Sequence, residues 1–326
     1  MEMLFIYRKE TDPYFNIAAE EYLLKNFRED IFSIWINDPC IVVGKHQNAL
    51  AEINYWFARE KGIPVIRRIS GGGTVYQDRG NLNFSFIISG EKGKLVNYRK
   101  YTEPVISFLR TLEIQSEFEG KSNLVVQGLK FSGNSAHIYR DKVIHHGTIL
   151  FSSDLQTLEC ALTRGNLHYE DKSVRSISKK VTNISDQLSS KMSMEDFSDA
   201  FFEYILNIST HVSIYNLTDH DQEEIRKLAD EKYKKWEWNF GYSPDYSFRS
   251  EFDLPGKRLV MNIRVSKGII KEAEIKDDSG NLMPELESLL TGLPHREETI
   301  REKLNNVNFA DKFGNNNTEE FIHHLF

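Results

Sequence analysis

The sequence predicts an α+β fold built on a large mixed or largely antiparallel sheet, with a small α+β region after it. Three observations lead there. Strand-patterned runs alternate irregularly with helical ones, and many are joined by short hairpin-type links. The composition shifts near Pro244, after which strands come first and helices follow. The regular strand–helix alternation of a doubly wound parallel sheet is absent.

Asp12-Pro13 reads as a cap followed by proline in the first helical turn. Ile17, Ala18, Tyr22 and Leu23 then give a helix through Asn26 one apolar face, with a polar face opposite. Ile31 to Ile36 and Cys40 to Val43 are strands about an Asn37-Asp38-Pro39 turn. Glu52 to Lys61 is helical and Gly62 stops it. Pro64 to Ile69, Thr74 to Asp78 and Asn83 to Ser89 are strands, and Gly90 to Lys94 is a surface loop. Tyr101 to Leu112 is a helix and Leu124 to Gln127 a short strand. Ser135 to Arg140 and Val143 to Ser152 form a hairpin about Asp141-Lys142. Asp154 caps a helix through Leu162, and Ser193 with Asp196 resembles a capping box that opens a helix through Ile208. Asp219 to Trp236 is a third long helix. Beyond Pro244 come strands Arg249 to Asp253, Arg258 to Lys267 and one through Lys276, then helices Glu285 to Leu293 and Thr299 to Asn306. Asn315 to Asn317 reads as a loop. The expected division is a domain over 1–244 and a small one over 245–326.

The chain has 326 residues, of which 40% are hydrophobic and 12% aromatic, enough for a sizeable core. Its net charge of −7 argues against a broad phosphate-neutralising face, so no nucleic acid is expected as partner. Two scattered cysteines, Cys40 and Cys160, fit a reducing compartment and offer no zinc spacing, so no protein-bound metal is expected. The first residues lack the basic start and apolar stretch of a signal peptide, and no apolar run approaches the roughly 18–20 residues that cross a bilayer. The expectation is a cytoplasmic protein with no membrane partner, acting as a monomer.

Three segments carry candidate chemistry. In Arg67-Arg68-Ile69-Ser70-Gly71-Gly72-Gly73-Thr74-Val75, three glycines lie between two strands. Such a run suits close backbone approach or N–H groups converging on an anion, and arginine offers a planar cationic fork for phosphate. The plainer alternative is a tight turn with a surface arginine pair. No Gly-Lys-Ser/Thr follows, so this is not a Walker loop. In Gly128-Leu129-Lys130-Phe131-Ser132-Gly133-Asn134-Ser135-Ala136, a glycine-flanked lysine either points into a cleft or is an exposed loop residue. In His145-His146-Gly147-Thr148, adjacent strand histidines face opposite sides of a sheet, so one at most serves a site.

Together these segments resemble the lipoate–protein ligase A family. Its RRxSGGGxVxxDxGNxxxSF, GxKxSGxA and HHGTLL stretches stand here, in that order, as Arg67 to Phe86, Gly128 to Ala136 and His145 to Leu150. Ile34 to Asn37, Val42 to Asn48, Val174 to Ser176, Val181 to Asn183 and Trp236 to Pro244 are similar as well. The resemblance covers roughly residues 3–245, and the remainder looks like the family's small C-terminal domain. It implies the fold of the biotin and lipoate ligases, and a reaction in which ATP turns lipoate into lipoyl-AMP before the acyl group passes to a lysine. It implies that Lys130 lies between the lipoate carboxylate and the α-phosphate. Arg68, Gly73, Thr74, Val75 and Tyr76 would contact the nucleotide. Ser70, Gly71, Gly72, Trp35 and His146 would border the lipoyl group, with Val42 helping to form an apolar slot. Mg²⁺ would arrive on the phosphates, with Asp78 as a possible outer partner or merely a turn cap.

The implied acceptors are lipoyl domains, either of 2-oxoacid dehydrogenase acyltransferase subunits or the glycine-cleavage H protein. Lys92, Lys94, Arg99, Lys100, Lys179 and Lys180 either steer such acidic partners or are simply solvated charge. The chain departs from the family at Gln77, often His, at Lys121 and Asn123 within the usual GRNDL, and at Asn134. Two other readings stand beside the ligase. A carrier-to-carrier octanoyl or lipoyl transferase needs a cysteine nucleophile upstream of the lysine, and none lies between Cys40 and Cys160. A non-catalytic lipoate-binding module would bind the acid without activating it. A biotin ligase's GRGRxGR-type loop is absent.

Overall fold

Alternation along one strand organises most of the molecule. In Asn81–Ser89, Leu82, Phe84 and Phe86 point to one face while Asn81, Asn83 and Ser85 point to the other, and all six are buried. The sheet therefore has one greasy and one polar covered face. The computed structural model describes residues 2–90, 96–163, 167–254, 257–307, 309 and 315–326. They pack as two compact units, one of residues 1–45, 63–160 and 176–235, the other of 46–62, 161–175 and 236–326.

In the first unit the strands are β1 (Met3–Arg8), β2 (Asp30–Ile36), β3 (Cys40–Val43), β4 (Val65–Arg67), β5 (Val75–Gln77), β6 (Asn81–Ser89), β7 (Ser116–Glu119), β8 (Asn123–Val126), β9 (Leu129–Tyr139), β10 (Lys142–Leu150) and β12 (Val212–Ile214). Eight form one sheet in the order β12-β1-β2-β6-β10-β9-β8-β7. The β12–β1 and β1–β2 pairs are parallel and the rest antiparallel, so the sheet is mixed. A small sheet, β4-β3-β5, carries the segment on either side of the glycines.

The greasy face buries Phe5, Phe32, Ile34, Phe84 and Phe86 beneath α3 (Tyr98–Thr111) and α5 (Met194–Ile208). Burying side chains of this size is worth about 1.5–3 kcal/mol each, so this layer fixes the frame. Across the polar face lies α1 (Pro13–Asn26), capped by Asp12. Its polar residues Asn16, Glu20 and Glu21 are buried, contrary to the expected solvent-facing side. The sheet it covers offers them partners, which is why burial is tolerated.

In the second unit, β11 (His168–Asp171), β13 (Tyr246–Leu254), β14 (Lys257–Ser266) and β15 (Ile269–Asp277) form an antiparallel sheet. Leu259, Met261, Ile263 and Val265 alternate into a core shared with α7 (Pro284–Leu290), α8 (Glu297–Asn306) and α9 (Asn315–His323). The helix α2 (Tyr55–Glu60) joins it, with Tyr55 donating to Glu297 at 3.0 Å.

Several expectations are revised. The predicted lysine loop, Gly128 to Ala136, lies almost wholly within strand β9, because both edges of that stretch find backbone partners. The long helix from Asp219 stops as α6 (Asp219–Leu228) and continues as a π-helical turn, Ala229–Tyr233. Tyr233 and Lys232 are drawn there onto the buried Glu21 carboxylate. The helix read over Glu52 to Lys61 is Tyr55–Glu60, because Asn54 caps it by accepting from the Phe57 N–H. Asn315 to Asn317 opens α9 and is not a loop. The predicted loop over Gly90 to Lys94, with Lys92 and Lys94, falls mostly outside the described residues. Between these, α4 (Leu155–Leu162) follows Asp154 as expected. Among the described residues no helix is long and apolar enough to cross a membrane.

Candidate functional site

The glycine segment joins β4 to β5 and is shaped from within by Arg68. Its guanidinium donates to the carbonyls of Gly71 at 2.6 Å, Gly73 at 2.8 Å and Val42 at 3.1 Å, and its Nε to Ser70 Oγ at 2.9 Å. Burial pushes this arginine down to about 10, opposed by the nearby Glu20 charge. Arg67 is buried too and donates to the Gly44 and Lys45 carbonyls. The plain alternative of a surface arginine pair is thereby removed. Gly72 has φ +87°, and a Cβ there would stand 3.1 Å from the Arg68 guanidinium. The positive φ favours glycine, and the engaged guanidinium leaves a side chain little room. Beyond it, Ser176 Oγ accepts from the Thr74 N–H at 2.9 Å.

A buried relay continues from Ser70. Ser70 Oγ lies 2.6 Å from His146 Nε2, and His146 Nδ1 lies 2.7 Å from Glu20 Oε1. The protons can be assigned from the partners. Arg68 Nε can only donate to Ser70, and an ionised Glu20 can only accept from Nδ1–H. With the imidazole neutral, Ser70 O–H donates to His146 Nε2. One row of side chains thus ties α1, the sheet and the glycine segment together. His145 faces the other way, as strand geometry requires, and stacks on Tyr101 at 4.3 Å.

Lys130 sits near the start of β9 beside an irregularity in the β8–β9 pairing. Its backbone is held by one neighbouring segment: its N–H donates to Lys180 O, and its carbonyl accepts from Thr182 N, each at 3.0 Å. The side chain folds over Gly133, where a Cβ would stand 3.1 Å from Nζ. Burial lowers the Lys130 pKa, and the like charges of Lys179 and Arg68 lower it further. Farther along the same strand, Ser135 Oγ donates to the Gly71 carbonyl at 2.8 Å. The lysine and the glycine segment are therefore anchored to one strand. An ammonium already depleted of water and crowded by like charge gains strongly from an arriving anion.

The polar sheet face extends this site as two cross-strand rows. One runs Ile6, Ser33, Ser85, His146, Ser135, and the Ser33 and Ser85 hydroxyls meet at 2.9 Å. The other runs Arg8, Trp35, Asn83, Thr148 and then Gly133, whose N–H points to Thr148 Oγ1. Lys130 and Trp35 thus belong to one strip of the sheet.

Val75 and Tyr76 lie on β5 paired with Val42 and Ile41, and Tyr76 is buried, which raises its phenol pKa. Asp78 accepts from Gly80 N at 2.9 Å and Asp154 N at 2.8 Å, so it caps turns. Gln77 accepts from Asn37 Nδ2 at 2.7 Å in a buried chain that continues to Asn16, so this departure belongs to the framework. Asn134 Nδ2 donates to Ser122 O and Ser132 Oγ, and its amide fills the space left by Gly147. Asn123 pairs β8 with β7 and β9. Among the expected steering residues, Arg99 and Lys100 lie over the Phe118 and Tyr101 rings, and Lys179 pairs with Glu119.

Sequence reasoning missed Glu20, Ser135, Ser176 and Arg8. The signal for Glu20 was present in the Asn-Leu-Asn-Phe-Ser-Phe alternation of β6, which demands polar partners on its second face.

Comparison with known proteins gives a consistent result. A family described as the lipoyl protein ligase A/B catalytic domain matches residues 12–206, and the bacterial lipoate protein ligase C-terminus matches 243–325. The lipoate-protein ligase LplJ of Bacillus subtilis is 36% identical, over 98% of this chain and 99% of its own length. Solved structures share the fold as well. LipL1 of P. falciparum, in complex with lipoate, is 22% identical with a TM-score of 0.63, over 97% of this chain and 99% of its own. A bi-partite lipoate protein ligase of Thermoplasma acidophilum, described with its E2 lipoyl domain, is 22% identical with a TM-score of 0.62, over 74% and 97%. The chain belongs to the lipoate–protein ligase family.

Proposed function

We propose that this ligase joins lipoate to AMP and then passes the lipoyl group to a lysine of a lipoyl-domain protein. In the first half, a lipoate carboxylate oxygen attacks the α-phosphorus of ATP and pyrophosphate leaves. In the second, the acceptor amine attacks the acyl carbon of lipoyl-AMP and AMP leaves. The difficulty of the first half is the approach of two anions. The observation that carries the reading is the Lys130 ammonium, on a residue whose backbone is bonded to Lys180 and Thr182, folded over Gly133 beside the Arg68-clamped glycines. It would lie between carboxylate and α-phosphate. Losing one such preorganised donor costs about 10²–10³ in rate.

On the nucleotide side we assign Gly73, Thr74, Val75 and Tyr76, mainly through backbone. Arg68 acts there chiefly by holding the loop carbonyls. On the acyl side we assign Ser70, Gly71, Gly72, Trp35 and His146. Magnesium would enter as the ATP complex and leave with pyrophosphate. We assign this chemistry to residues 1–244 and an accessory role to 245–326, although 46–62, 161–175 and 236–244 pack with the C-terminal residues. The acceptors proposed are acyltransferase subunits of 2-oxoacid dehydrogenases and the glycine-cleavage H protein. We place the protein in the cytoplasm and read it as a monomer; the free Cys40 and Cys160 suit a reducing compartment.

A thioester route is disfavoured, because Cys40 is fully buried and burial pushes its thiol well up, away from thiolate. The test is ATP–pyrophosphate exchange with lipoate, octanoate and biotin in turn. Lipoate-dependent exchange is expected. Lipoate binding without exchange would leave a non-catalytic module, and exchange with biotin alone would overturn the substrate assignment.

A further inference from the structure

At the far end of the strip from Lys130, three buried side chains carry donors without a hydrogen-bond partner among the described residues. They are Arg8 through Nε and Nη2, Trp35 through Nε1 and Asn83 through Nδ2. Their exposures are 4%, 2% and 1%. Register sets them side by side on β1, β2 and β6, and the Arg8 Cζ lies 3.7 Å over the Trp35 ring. Arg8 Nη1 is occupied by Asn16, at 2.7 Å to its carbonyl. Unpaired buried N–H groups in such numbers are costly, and native structures rarely keep them without a purpose.

Distance gives that purpose. From β9, beneath Lys130 Nζ, to Asn83 on β6 is two strand spacings, and to Trp35 on β2 three, about 10 and 14 Å. An extended eight-carbon acyl chain whose carboxylate meets the ammonium ends over this interval. We infer that Arg8, with Trp35 and Asn83, reads the sulfur-bearing end of the acyl chain, so that this ligase selects lipoate over octanoate. The inference rests on the function proposed above and adds its tail selectivity. Dithiolane sulfurs are polarisable, weak acceptors that also pack well against aromatic rings. A saturated tail supplies no acceptor, and by displacing water it would leave the same donors unpaired. Burial also holds Arg8 down to about 9, with Glu20 opposing, so its cation profits from any electron-rich neighbour.

The test compares exchange kcat/KM for lipoate and octanoate in the full chain. Their ratio does not depend on how much enzyme is folded. Arg8→Met keeps an unbranched stem and removes the donors. The lipoate-to-octanoate ratio is expected to fall about tenfold, the equivalent of one hydrogen bond to a charged group. If Arg8→Met yields no folded protein, Trp35→Phe decides, with a fall of about threefold expected from losing one neutral donor. A ratio within twofold of wild type in the deciding variant overturns the inference, whatever the absolute rates. A wild type that exchanges with neither acid refutes the function, and calorimetric affinities for the two acids then still decide the selectivity.

Discussion

Glu20 offers the sharpest perturbation, because it touches the reaction only through other residues. Its carboxylate accepts from His146 Nδ1 at 2.7 Å, His146 meets Ser70 at 2.6 Å, and Ser70 takes the Arg68 Nε at 2.9 Å. Glu20→Ala leaves a buried imidazole N–H without its acceptor, which costs about 1–3 kcal/mol. It also removes the charge that opposes the desolvation of Arg68 and Arg8. The glycine segment loses an anchor, and kcat/KM for ATP–pyrophosphate exchange should fall about ten- to hundredfold. Glu20→Gln keeps an acceptor of the same shape and loses only the charge, so a fall of about fivefold is expected. Both variants should be measured for kcat and KM separately, alongside a urea midpoint. A merely structural carboxylate would move the midpoint and leave kcat per folded molecule alone. Glu20→Ala with kcat/KM within twofold of wild type would refute the relay.

Other outcomes follow from the same geometry. Gly80→Ala places a Cβ 2.2 Å from the Ser152 carbonyl oxygen and 2.5 Å from the Ser153 nitrogen. Neither backbone atom can yield, so a stability loss of about 3 kcal/mol or more is expected by denaturant titration. Gly62→Ala, with φ +64° and nothing within 4 Å, should cost only about 1 kcal/mol. For pH, the role proposed for Lys130 needs its ammonium, and its pKa is lowered, so kcat/KM should fall as pH rises through a value below 10.5. Bound anions favour the ammonium, so the alkaline limb of kcat should lie higher, and Lys179→Ala should shift the kcat/KM limb upward. Coincident limbs in both profiles would contradict this. Gln77→His should leave the pH profile unchanged, since Gln77 partners Asn37 in the framework.

Local signals were legible because local physics decides them. Asp12 caps α1 and Ser193 with Asp196 closes a capping box, both as read from the sequence. The hairpin at Asp141 follows from its turn residues. Where long-range pairing decides, the sequence misled. Gly128 and Gly133 suggested a loop around Lys130, yet β8, β10 and the segment Lys180–Thr182 supply backbone partners that make it a strand. The Asp219 helix loses its regular turn where Glu21, distant in sequence, captures Tyr233. In the site, the glycines, Lys130 and His146 were visible as types and spacings. Arg68 read as a phosphate ligand, and only the fold reveals how fully its donors are engaged by the loop. Glu20 and Arg8 stayed hidden, since a buried charge announces itself only through its neighbours.

The most direct measurement is single-turnover formation of lipoyl-AMP by Lys130→Met, followed by transfer from supplied lipoyl-AMP to a lipoyl domain. Adenylate formation should drop by about 10²–10³ or more with the melting behaviour of the wild type. An undiminished adenylate burst in that variant would contradict the role given to its ammonium.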